Sequence, residues 1–108
     1  MSHGLGELEQ LVLLAILRLG DDAYGITVQQ EIADRGGRPV SLGAVYSTLT
    51  RLEEKGLVST RAGAPTATRG GRRKKLYSVR ASGRAALRGS LAAVRALSRG
   101  LSAALERP

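Results

Sequence analysis

Apolar residues near the start of the chain recur at Leu8, Leu11, Val12, Ala15, Ile16 and Leu19, the spacing of one helical face. Leu13, Leu14 and Leu17 fall on the other side at about 100° per residue. A helix that is apolar on two sides must be covered on both. In a domain this small, the expected second cover is another subunit. Gly20 ends the pattern and "DD" opens the next element.

"AYGITVQQEIADRGG" predicts a second helix, with Tyr24, Val28 and Ile32 on one face and Gly36 and Gly37 as its stop. Pro39 keeps the residue before it extended. A third helix is predicted over Ser41–Lys55, with Ser41 as N-cap, Leu42, Val45, Leu49 and Leu52 as the buried stripe, and Gly56 as terminator. "LVSTRAG" and "KKLYSVR" predict two short strands, with alternation at Leu57/Ser59 and Leu76/Ser78. The polar, glycine-punctuated "APTATRGGRR" joins them as a hairpin loop. The last pattern, "SGRAALRGSLAAVRALSRGLSAALE", predicts one long helix despite Gly89 and Gly100. Leu87, Leu91, Val94, Leu97, Leu101 and Leu105 form its apolar stripe, about 27 Å long at 1.5 Å per residue. With nothing nearby in sequence to cover so long a stripe, self-association through this helix and the first is expected.

Charge sharpens the picture. Residues 1–60 carry five basic and eight acidic side chains, whereas residues 61–84 carry eight basic and none acidic. Most of the net charge of +8 thus sits on the hairpin, as expected of a surface that faces a polyanion. The chain has no cysteine and a single histidine, His3, and no pair of acids spaced on one face, which leaves no nucleophile–base or metal constellation. Neither an enzyme nor a cofactor or metal requirement is expected. No apolar run reaches the ~18 residues of a membrane span, and the N-terminus lacks the basic segment of a secretory signal. The expectation is a cytoplasmic, nucleoid-associated protein with no membrane partner.

The order helix, helix, short extended piece, helix, hairpin, helix is that of a winged helix-turn-helix. The expected fold is mainly α with a two-stranded β wing, followed by a C-terminal dimerisation helix. Residues 1–80 would form the DNA-binding domain, its first helix contributing to dimerisation, and residues 81–108 the dimerisation helix. In such folds the second helix of the motif enters the major groove. Here that is Ser41–Lys55, whose outward positions are Gly43, Ala44, Ser47 and Arg51, with Thr48 at the edge. Small residues let the helix axis approach the bases, while Ser and Thr can exchange hydrogen bonds and Arg can grip guanine. Arg69, Arg72, Arg73, Lys74 and Lys75 of the wing are placed to meet phosphates, which supply salt-sensitive affinity without reading sequence. The predicted dimer interface comprises Leu13, Leu14 and Leu17 with Leu87, Leu91, Val94, Leu97, Leu101 and Leu105.

Taken together, "DDAYGITVQQEI", "SLGAVYSTLTRLEEKGLVST" and "GGRRKKLYSVRASGRAAL" resemble the PadR family of bacterial transcriptional regulators over roughly residues 5–90. The most specific points are Tyr24-Gly25, Val45-Tyr46 with Leu49, Leu52, Glu53 and Gly56-Leu57, and Tyr77-x-Val79 with Gly83. The resemblance implies a homodimeric winged-helix repressor on palindromic operator DNA. By position, Tyr46 would touch the DNA backbone, while Tyr24 and Tyr77 would pack. Where the family often has Thr-Glu or Thr-Pro before the last helix, this chain has Arg80-Ala81, leaving Ser82 as the capping candidate. The single C-terminal helix resembles the family's shorter-tailed members. Some members bind aromatic molecules through Trp or Phe, and this chain has neither. An apolar small-molecule effector would instead need a cavity lined by leucines of the first and last helices. The competing readings are a penicillinase-repressor-like winged helix, against which the Tyr-Gly and wing sequences weigh, and a basic RNA-binding winged helix, against which the scarcity of aromatics weighs.

Overall fold

The computed structural model describes residues 4–65 and 73–107. Its elements are α1 (Glu7–Leu19), a 3₁₀ turn (Gly20–Asp22), α2 (Gly25–Asp34), α3 (Leu42–Glu54), β1 (Val58–Pro65), β2 (Arg73–Val79), α4 (Ala81–Ser98) and α5 (Ser102–Glu106). The strands pair antiparallel, from Val58 opposite Val79 to Ala62 opposite Lys75, with an irregularity before Pro65 meets Arg73. This is the predicted mainly helical architecture with a two-stranded wing.

Local chemistry sets each helix boundary. Glu9, three positions into α1, reaches back to accept from the Gly6 N–H at 2.8 Å, satisfying an otherwise orphaned donor. Glu7 and Glu9 in the first turn and Arg18 in the last both suit the helix dipole. α2 starts one residue later than its apolar pattern suggests. Tyr24 is its extended N-cap residue, and the Thr27 hydroxyl accepts from the Tyr24 N–H at 3.0 Å. Ser41 caps α3 as expected, its Oγ accepting from the Ala44 N–H at 3.0 Å. At the far end the Leu57 N–H donates to the Leu52 carbonyl and the Gly56 N–H to the Glu53 carbonyl, each at 3.0 Å. That pair of bonds is a Schellman stop.

The core joins Val12, Leu13 and Ile16 of α1, Val28 and Ile32 of α2, Val45, Leu49 and Leu52 of α3, Val58, Tyr77 and Val79 of the hairpin, and Leu87 of α4. α1 runs through the middle, touching α2, α3, β2 and α4, so more of its circumference is covered than a single stripe. This corrects the expectation for Leu13, which is 0 % exposed and buried in its own domain. Leu87 is likewise taken up by the core at 4 % exposure. Of the other α1 interface candidates, Leu14 is half-buried and Leu17 is exposed.

The start of α4 docks on the turn between α3 and β1. The Arg80 N–H donates to the Leu57 carbonyl at 2.9 Å, and the Ser82 hydroxyl to the Gly56 carbonyl at 2.7 Å. Ser82 therefore ties α4 to that turn instead of capping it, and Arg80 holds the N-cap position without a side-chain bond. Gly83 is required by this docking. A Cβ there would lie 2.9 Å from Val79 Cγ1 and closer still to the Leu57 carbonyl oxygen.

The final helix is not continuous. It stops at Ser98, and Gly100 turns the chain at φ +81 before the short α5. A left-handed residue is easily reached by glycine and interrupts helical hydrogen bonding. Beyond the half-buried Leu91, α4 leaves the domain. Val94, Leu97, Leu101 and Leu105 are exposed, Leu97 to 80 %. The radius of gyration of 15.7 Å, against roughly 13 Å for a compact chain of this length, reflects that projection.

Candidate nucleic-acid interface

α3 turns to solvent most of the face its apolar spacing predicts, rotated enough to take Thr48 in and bring Thr50 out. Gly43, Tyr46, Ser47, Thr50 and Arg51 are exposed and Ala44 is half-buried. Thr48 is 0 % exposed, which removes it from the candidate contacts. Its hydroxyl donates to the Ala44 carbonyl at 2.8 Å, and with that donor satisfied within the helix the methyl group enters the core. Thr48 thus shares the buried stripe with Val45, Leu49 and Leu52, while Leu42 is only half-buried. The rotation brings Thr50 to the surface, a position the periodicity missed because a Thr two residues away looked equally polar. The resulting face is of small residues and hydroxyls, with Ser41 exposed at its head.

Tyr46 is seated on α2. A Cβ on Gly25 would stand 2.5 Å from both the Tyr46 hydroxyl oxygen and Cε1, so the absence of a side chain at Gly25 makes room for the ring. Tyr46 is nonetheless 45 % exposed. The glycine of the Tyr-Gly pair at the start of α2 is thereby explained, since it receives Tyr46, whereas Tyr24 holds the N-cap position without a side-chain bond and lays its ring under Lys74.

The wing is locked to this motif through β2. The Tyr77 N–H donates to the Ala23 carbonyl at 2.9 Å, and the Tyr77 ring is buried, which pushes its hydroxyl above its ordinary pKa. Lys74 Nζ lies 4.4 Å from the centre of the Tyr24 ring, within cation–π range. Lys75 Nζ donates to Glu53 Oε1 at 3.1 Å, and this hydrogen bond raises the lysine's pKa and keeps it protonated. The pair is exposed, and such pairs contribute at most about 1 kcal/mol, so a phosphate can displace Glu53 at little cost. Arg61 on β1 faces Asp21 at 3.6 Å. Arg73 pairs with Pro65 through the backbone ladder, whereas Arg69 and Arg72 lie outside the described residues.

Arg51, though exposed, leans toward α1. Its Nε lies 3.9 Å from Glu9 Oε2 and its Nη2 3.5 Å from the Thr48 hydroxyl. Lys55 Nζ donates to the same Glu9 oxygen at 2.7 Å. Burial alone would push the Glu9 carboxyl up, but the hydrogen bonds from Lys55 and the Gly6 N–H, with the charges of Lys55 and Arg51, outweigh it and hold the group below its ordinary range.

Among the described residues no cluster of His, Cys, Asp or Glu could hold a metal ion, and no helix is long and apolar enough to cross a membrane. A cleft of about 200 Å³ between α1 and α2 is lined by Leu11, Leu14 and Ile32 with Arg18, Glu31 and Arg35. A second, of about 490 Å³, separates the start of the chain from α4, and Gly4, Leu5, Gln10, Ala85, Ala86 and Ser90 are among its lining residues. This cleft lies mainly between the segment before α1 and α4, with Gln10 as its α1 lining residue, and its walls are mostly small or polar, not the expected leucines of the first and last helices.

The model of the PadR-like transcriptional regulator family matches residues 13–89, from the middle of α1 through the first half of α4. The chain belongs to the PadR-like family of transcriptional regulators. A PadR-family regulator from Eggerthella lenta is 28% identical, with 94% of this chain and 88% of that one covered at a TM-score of 0.68. A PadR-like regulator from Bacillus cereus matches at 22% identity over 94% of this chain and 93% of its own, with a TM-score of 0.71. PadR of Bacillus subtilis, solved in complex with operator DNA, matches at 22% identity and a TM-score of 0.63, over 79% of this chain and 48% of that one. At these identities the last two establish the shared winged-helix fold. No curated protein matches the chain. The family and its solved neighbours are transcriptional regulators.

Proposed function

We propose that this PadR-like protein is a sequence-specific DNA-binding repressor that works as a homodimer on a palindromic operator. The observation that carries this is the α3 surface: a face rich in small residues and hydroxyls beside a wing whose Lys75 pairs with the displaceable Glu53 and whose Lys74 lies over the Tyr24 ring. Ser47 and Thr50 meet base edges, Gly43 and Ala44 let the helix axis approach, and Ser41 and Tyr46 touch the backbone. Lys74 and Lys75, with Arg73, Arg69 and Arg72, bind phosphates. The operator complex of the Bacillus subtilis relative supports DNA as the partner.

The second subunit covers what one chain leaves open: Leu17 and the half-buried Leu14 of α1, the half-buried Leu91, and Val94, Leu97, Leu101 and Leu105 beyond the domain. Four large apolar side chains exposed along one projecting segment are unfavourable in water and are offset by pairing. Occupancy of the operator blocks transcription, and an apolar effector that changes the angle between subunits releases it. The α1–α2 cleft is the more apolar candidate seat, although about 200 Å³ suits only a small molecule.

Fluorescence anisotropy tests the central part. The probes are a labelled duplex from the DNA upstream of the gene and a scrambled duplex of equal length, at about 50 and 200 mM salt, where counterion effects are large. A preference for the upstream duplex that persists at high salt is expected. Equal binding to both, erased by salt, would contradict sequence-specific recognition.

A further inference from the structure

Glu9 is the one acidic side chain buried in the core region of the described residues, and the DNA-contacting surface does not use it. Both its oxygens are engaged: Oε1 accepts from the Gly6 N–H at 2.8 Å, and Oε2 accepts from Lys55 Nζ at 2.7 Å with Arg51 Nε at 3.9 Å. The two cations stand at the C-terminal end of α3, opposite the end whose residues read bases in helix-turn-helix proteins. Both remain partly exposed, with 55 % of the Arg51 side chain and 40 % of the Lys55 side chain open to solvent, whereas the Glu9 side chain is 8 % exposed. Two cations that can reach solvent beside a DNA-binding face would add sequence-independent phosphate affinity if they were free.

We propose that Glu9 is a positioning residue that keeps Arg51 and Lys55 off the phosphates, so that the affinity of α3 depends on its base-reading end. The proposal rests on DNA being the partner of α3. The carboxylate cannot follow the cations outward, because it is buried and anchored to the Gly6 N–H. It therefore holds them against α1 even when DNA approaches. α3 is left with less indiscriminate charge, and the ratio of operator to non-operator affinity rises.

The test is Glu9→Gln, measured by anisotropy on the scrambled duplex over about 50–300 mM salt, and then on the upstream duplex. Each phosphate neutralised adds about 0.9 to the slope of log affinity against log salt. Release of Arg51 and Lys55 is expected to steepen that slope by about one to two, raise scrambled-duplex affinity at low salt, and lower the operator preference. Glu9→Gln/Lys55→Gln is expected to return the slope by about one. A Glu9→Gln protein that is less stable but has the wild-type slope would show a purely structural role and overturn the proposal. Should Glu9→Gln fail to fold, Lys55→Gln alone decides: an unchanged slope is expected, and a slope shallower by about one would put Lys55 on a phosphate already. Because the slope is read on scrambled DNA, the proposal can stand while operator preference fails. Binding to neither duplex would overturn both readings.

Discussion

Gly25 and Tyr46 form a lock that a double-mutant cycle can isolate. In Gly25→Ala the new methyl would sit 2.5 Å from the Tyr46 hydroxyl oxygen and Cε1. Non-bonded heavy atoms rest at about 3.5–4.0 Å, so the ring must retreat by about 1 Å or more. Overpacking of this kind costs about 1–3 kcal/mol, and because Tyr46 is already 45 % exposed and can swing outward, the lower half of that range is expected. With Tyr46→Ala in the background the obstacle is gone. Alanine is then favoured over glycine in a helix by up to about 1 kcal/mol, so the same Gly25→Ala change should be neutral or stabilising. The difference between the two backgrounds, about 1–3 kcal/mol, is the coupling. Urea unfolding of the four proteins measures it. The same four in the anisotropy assay should show Gly25→Ala weakening upstream-duplex binding, because it moves the ring off its seat on α2. An identical Gly25→Ala cost with and without the Tyr46 ring would refute the steric account.

Other consequences are equally direct. Leu13→Ala should destabilise the fold by about 2–5 kcal/mol in urea, as for a buried core leucine; a loss well under 1 kcal/mol would return Leu13 to a subunit interface. Val94→Asp, at an exposed position of α4, should leave the fold intact and give monomers by light scattering; an intact dimer would contradict the proposed pairing surface. The lowered pKa of Glu9 contributes stability that is fully present above the unfolded carboxyl's value, about 4.5, and is lost as pH falls through the lower folded value. Acid unfolding of Glu9→Gln should therefore show a weaker pH dependence in that window, and a curve parallel to the wild type would contradict the burial and pairing assigned to Glu9.

Much of this was legible in the chain because the decisive signals were local. Ser41 and Gly56 bracket α3 through a side-chain cap and a Schellman stop, both of which depend on residues within a few positions of each other. The charge switch after residue 60 likewise marked the wing without reference to the fold. What the pattern missed depends on neighbours distant in sequence. Leu13 looked like a second face because periodicity counts faces, not how many elements crowd around a central helix. Thr48 looked like an edge position because its polarity concealed an intrahelical hydrogen bond. The break at Gly100 was obscured by leucines that keep helical spacing on either side of it. Arg51 had the composition of a base reader, and only the long-range approach of Glu9 from α1 shows that another group already competes for it.

Hydroxyl-radical footprinting of the upstream duplex tests the central claim most directly, since it reports where on the DNA a symmetric pair of α3 helices would sit. A dimer with one α3 in each of two successive major grooves predicts two protected stretches on one face of the duplex, centred about 10 base pairs apart. A single protected stretch, or uniform protection without spacing, would contradict the paired recognition helices on which the account depends.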